Sequence, residues 1–144
     1  MNKKALLIFF FVLLTVITKG QVKELNWQNS RNWKIYDIHD RAGFRYSVDT
    51  LQNFRNADMG DDKVRLFLKN AAYLPNEKSG VWMGLYVATC ELEDKKTRKI
   101  LLSNYGGFFY DELTKQYYEL PVSKRNDWME FLNENSKKTS TIKF

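Results

Sequence analysis

The sequence predicts a small single α+β domain: an antiparallel β-meander over about 81–120 and an N-terminal hairpin, packed against two or three helices. Three observations point there. Between Val81 and Pro121, runs rich in β-branched and aromatic residues alternate with polar turns. Asp62 to Leu74, and the segment after Ser123, carry apolar residues at helical spacing. Finally, 144 residues with 44% hydrophobic content can bury one core, and no repeat or Pro-rich linker marks a second domain.

Residues 1–20 have the form of a secretory signal peptide. Lys3 and Lys4 precede an apolar run from Ala5 to Ile17, and Thr18-Lys19-Gly20 places small residues before Gln21. The run is shorter than the roughly 20 residues a membrane span needs. No cysteine stands directly after it, so a lipid anchor is not indicated. The expected mature chain is therefore 21–144, periplasmic or secreted, with no transmembrane span. Loss of Lys3, Lys4 and Lys19 lowers the formal charge from +6 to +3. That balance, without aromatics interleaved among the basic residues, argues against nucleic acid as a partner.

Gln21 to Asn32 reads as an irregular lead-in. Trp33–Ile38 and Phe44–Val48 have strand character and flank the turn-rich His39–Gly43, which predicts the hairpin. Ser47 or Asp49 caps a short helix carrying Leu51 and Phe54. The next helix, Asp62 to Leu74, has Asp61 as its expected N-cap. Its stripe is Val64, Phe67, Leu68, Ala71 and Leu74, and Pro75 stops it.

Val81 to Leu92 is expected to be the central strand, because both of its faces are apolar. Trp82, Gly84, Tyr86, Ala88, Cys90 and Leu92 share one side; Val81, Met83, Leu85, Val87 and Thr89 share the other. Arg98 to Tyr105 forms the second strand. Gly106-Gly107 is read as a bulge or bend that re-aims Phe108 and Tyr110 within that strand. Gln116 to Leu120 forms the third. A last helix from about Ser123 presents Trp128, Phe131 and Leu132, and a polar tail is expected from about residue 133.

Chemistry-bearing residues are few. His39, flanked by Asp37, Asp40 and Arg41, is the one histidine, and Cys90 the one cysteine. Neither belongs to a nucleophile motif, and together they supply no zinc set, so no cofactor or metal is expected. Cys90 in mid-strand reads as a buried thiol. The aromatics around the Gly-Gly pair offer the better site. Tyr105, Phe108, Tyr110 and Tyr117 are the candidate binding residues, since alternation must place one aromatic set in the core and the other on the opposite face. The favoured function is an exported, non-enzymatic module that binds a protein partner, as an inhibitor or immunity-type protein does. The alternatives are a cell-wall or glycan-binding module and a small hydrolase using His39 and a carboxylate.

Overall fold

The structure is a computed structural model and describes residues 23–38, 45–75, 84–103 and 107–141. The chain is a single α+β domain built on a seven-stranded sheet. Its strands are β1 (Arg31–Tyr36), β2 (Asn56–Asp58), β3 (Ala72–Leu74), β4 (Gly84–Glu91), β5 (Thr97–Ser103), β6 (Phe108–Asp111) and β7 (Gln116–Glu119). They lie in the order β2-β1-β4-β5-β6-β7-β3, and every neighbouring pair is antiparallel. The helices are α1 (Val48–Leu51), α2 (Asp61–Leu68) and α3 (Arg125–Thr141).

The main core fills the face covered by α2 and α3. Trp33 and Ile35 of β1, Ala88 and Cys90 of β4, Ile100 and Leu102 of β5, Phe109 and Tyr118 all point to it. Val64 and Leu68 of α2 meet them from above, with Trp128 and Leu132 of α3. Burial of each such side chain contributes about 1.5–3 kcal/mol, which is why these two helices lie on this face. The lead-in joins the same core. A single 3₁₀ turn, Trp27–Asn29, buries Trp27 edge-on against Phe109 and Tyr118, at centroid distances of 5.1 and 5.2 Å.

The meander has four strands rather than three. The chain reverses between Ser103 and Phe108, so that Leu101 faces Tyr110 and Leu102 faces Phe109 across two neighbouring strands. Residues 98–110 are thus two paired strands and not one long strand with a bulge; of the glycine pair only Gly107 is among the described residues. Gly107 has φ +69°, and its carbonyl accepts from Leu120 N at 3.0 Å. The face assignments along β4 hold wherever side chains are described, with Tyr86, Ala88 and Cys90 opposite Val87. The middle position belongs to β5, however, with β4 beside it.

Three other expectations are corrected. On its outer side β1 pairs with β2: residues 45–48 of the expected strand Phe44–Val48 form no strand, and Phe44 and the expected turn His39–Gly43 lie outside the described residues. Ser47 caps α1 by accepting from Thr50 N at 3.3 Å, and Asp49 sits in the first turn; a cap and an acidic first turn outweigh two steps of alternation. The long helix ends at Leu68, and Ala72–Leu74 instead pair with β7. The outer edge of β7 has backbone groups to satisfy, and Tyr73 and Leu74 suit a strand as well as a helix stripe. The polar stretch after 133 is the second half of α3. Asn135, Ser136 and Thr139 are buried there, with Asn135 Nδ2 donating to Phe131 O at 2.8 Å and Thr139 Oγ1 to Ser136 O at 2.7 Å. Small polar side chains satisfied by their own helix can be buried without a penalty that would fray it.

Asp61 is the first residue of α2, not its cap, which falls on Gly60 at φ +79°. Its carboxylate does other work. It accepts from Asn32 N and Trp33 N, each at 3.0 Å, and so holds the β-bulge that interrupts pairing between Arg31 and Lys34. Asn32 takes φ 56° at that bulge, a conformation asparagine tolerates better than most residues.

Candidate binding surface

On the face away from α2 and α3, one transverse row crosses all seven strands. Asn56, Tyr36, Val87, Leu101, Tyr110, Tyr117 and Leu74 are successive cross-strand neighbours. At the β1–β4–β5 end this row is covered. Leu51 of α1 is fully buried with Tyr36, Ile38, Val87 and Leu101, and Tyr46 and Phe54 pack ring against ring at 4.8 Å beside them. Lys99 fastens this cover. Its ammonium donates to Tyr46 O at 2.7 Å and pairs with Glu112 at 2.5 Å. Burial lowers the Lys99 pKa, and the charge of Lys115 lowers it further.

The β6–β7 end is where the candidate aromatics lie. Phe108, Tyr110 and Tyr117 share this face and are half-buried, while Phe109 and Tyr118 fill the core on the other side. Tyr110 and Tyr117 are direct cross-strand partners with centroids 4.4 Å apart. The Arg125 guanidinium lies 5.3 Å from the Phe108 ring centroid. Arg125 also donates to Leu120 O at 3.1 Å and to Glu119 at 2.9 Å, so the cation is held at the rim of the aromatic group. Burial raises the Tyr110 pKa, helped by the neighbouring Asp111 charge, so the phenol keeps its proton. Tyr105 lies outside the described residues.

The sheet end that joins β5 to β6 and β7 rests on a buried ion pair. Arg98 donates to Asp111 at 2.7 Å and to Asp94 at 2.5 Å, while Asp111 also accepts from Thr114 Oγ1 at 2.6 Å and Leu113 N at 3.2 Å. Alternation flags neither Arg98 nor Asp111, because charged residues beside turns ordinarily face water. Their burial follows from register, which sets Cys90 beside Arg98 and Ile100 beside Asp111.

Neither catalytic candidate gains support. Cys90 is buried in the core, where desolvation pushes its thiol well above the usual range and Asp111 adds to the effect. His39 lies outside the described residues. Among the described residues no group of three or more His, Cys, Asp or Glu side chains is placed to hold a metal ion, and no helix is long and apolar enough to cross a membrane. What the described surface offers is an aromatic patch rimmed by Arg125 and Glu119. Neither the known family models, nor the curated proteins, nor the solved structures contain a match to this chain.

Proposed function

We propose that the chain is an exported, non-enzymatic binding module that engages a protein partner through Phe108, Tyr110 and Tyr117. The observation that carries this reading is the uneven cover of the transverse row. One end is sealed by α1, while the aromatic end stays half-buried. Tyrosine and phenylalanine are enriched at the cores of protein interfaces, where large rigid rings bury much area at low entropic cost. The cross-strand contact between Tyr110 and Tyr117 fixes both rings before any partner arrives, which is the pre-organisation that affinity rewards. Arg125, beside Phe108, belongs to the residue type most often found with aromatics at interface hot spots.

Affinity capture from the cell envelope and medium tests this reading. The wild-type protein should retain a stoichiometric protein partner, and a Tyr110→Ser/Tyr117→Ser double variant that keeps its thermal midpoint within a few degrees should lose it. Equal capture by both proteins, or retention on insoluble wall material alone, would overturn it.

A further inference from the structure

A second row runs one residue pair along from the aromatic one, on the same face, and its chemistry is different. Asp58, Lys34, Thr89 and Lys99 are successive cross-strand neighbours, so the face changes from apolar to polar within one step of the sheet. Beside this row, under the lip made by Val48 and Gln52, lies a cleft of about 590 Å³. That is within the usual range for small-molecule sites. Amide and hydroxyl side chains predominate in it, namely Asn32, Gln52, Asn56, Thr89, Thr97 and Tyr36, with Lys34 among them and the buried Cys90 behind.

The charges in the cleft are unequal in their freedom. Glu91 lines it too, but its carboxylate is engaged by Arg31 Nε at 3.3 Å. The Asp58 carboxylate, opposite Lys34, accepts from Gly60 N at 2.7 Å. The Lys34 ammonium makes no ion pair or hydrogen bond among the described residues. The bulge at Asn32 adds a local reason for the cleft. An extra residue of β1 interrupts its pairing with β4 at this point, and bulges commonly re-aim side chains beside sites.

We infer that this cleft is a second binding site, separate from the aromatic patch, for a hydroxyl-rich ligand that carries one carboxylate: an acidic sugar of one or two rings. Amide and hydroxyl side chains both donate and accept, which matches sugar hydroxyls. Lys34 supplies a point charge for the carboxylate, and the one aromatic residue of the lining, Tyr36, is 5% exposed, with its hydroxyl hydrogen-bonded to Thr89 Oγ1 at 3.1 Å. A hydrogen bond between ionised groups is about twice as strong as a neutral one, so the carboxylate should dominate selectivity.

Amide chemical-shift titration of the purified protein with D-glucuronate, D-glucose and acetate tests the site. Glucuronate should move the resonances of Lys34, Thr89 and Thr97 while leaving Tyr110 and Tyr117 in place. Glucose and acetate should each bind about tenfold more weakly, and Lys34→Gln should bring glucuronate down to the level of glucose. Gln52→Ala, an exposed change at the C-cap of α1, should weaken both sugars without altering the fold. No movement in the cleft, equal responses to acetate and glucuronate, or unchanged glucuronate binding in Lys34→Gln would each overturn the assignment.

Discussion

The Arg98 guanidinium and the Asp111 carboxylate meet at 2.7 Å with side chains 5% and 0% exposed, on adjacent strands near the start of β5 and the end of β6. The pair closes the end of the sheet from which both polar turns emerge. Asp111 also organises the β6–β7 turn through Thr114 and Leu113, so one carboxylate ties two hairpins together. Asp111→Ala leaves Arg98 buried with only Asp94, which is partly exposed. The expected loss is about 3–5 kcal/mol, the usual consequence of removing one partner of a buried pair. Urea unfolding of the variant checks this, and a loss below about 1 kcal/mol would mean that solvent reaches Arg98.

Gly107 and Gly60 form a controlled comparison. Both have left-handed φ, but a Cβ at Gly60 would meet nothing within 4 Å, while one at Gly107 would meet Arg125 Cγ at 3.0 Å and Leu120 Cβ at 3.1 Å. Gly60→Ala should therefore incur backbone strain alone, about 1–2 kcal/mol. Gly107→Ala should cost distinctly more and should shift Arg125 off Phe108. Thermal midpoints that fall equally in the two variants would contradict the packing at Gly107.

Stability at alkaline pH should carry the mark of Tyr118. Its hydroxyl donates to Gln116 Oε1 at 2.5 Å and accepts from Leu25 N at 3.0 Å, and burial first of all pushes its pKa from 10.0 up to about 12. Above pH 10 the unfolded chain releases this proton and the folded chain does not. The contribution is thus complete below pH 10 and is lost as pH rises towards about 12. Tyr118→Phe should be less stable than wild type near neutrality, with the gap narrowing through that window. Comparing the two proteins cancels Tyr86 and Tyr110, which titrate high for the same reason, and Lys99, whose lowered pKa acts with opposite sign. A gap that stays constant with pH would show that the Tyr118 proton is not linked to folding.

Lys115 takes φ 59° in the β6–β7 turn, where a side chain is disfavoured. Replacing it by glycine relieves about 1–2 kcal/mol of strain against about 0.5–1 kcal/mol of added unfolded-chain entropy. Lys115→Gly should stabilise the protein by roughly 0.5–1 kcal/mol. A lowered denaturation midpoint would point to a contact made by the lysine side chain.

Much of this fold was legible because alternation is a local property. The division of Phe109 and Tyr118 from Phe108, Tyr110 and Tyr117 needs only the period of a strand, and it held. So did the assignment of Val64 and Leu68 to the buried side of a helix. Register, by contrast, joins residues far apart in the chain. Lys34, Thr89 and Lys99 form one polar row only once β1, β4 and β5 are aligned, and nothing along the sequence marks them as neighbours. Edge strands were missed for a similar reason. Three-residue segments such as Asn56–Asp58 and Ala72–Leu74 extend because an exposed strand edge needs partners, not because their own composition demands it. The last turns of α3 escaped because polar side chains satisfied within a helix resemble a solvated tail.

The order of strands in the sheet also dictates an order of events in time. Within the series β4 to β7 each strand pairs with the next one in sequence, so this part of the sheet closes only small loops. Each flank must wait for a distant partner: β1 for β4, and β3 for β7, whose Tyr117 is the register mate of Leu74. The lead-in waits longest, since Leu25 N reaches Tyr118 across 93 residues. Loop-closure entropy therefore makes the meander the nucleus and the flanks late additions. Leu101→Ala should slow refolding, while Leu74→Ala should leave the refolding rate nearly unchanged and speed unfolding. A chain that emerges N-terminus first, as it does during synthesis, would hold β1 and β3 unpaired until their partners followed, which leaves a window in which a chaperone can bind them.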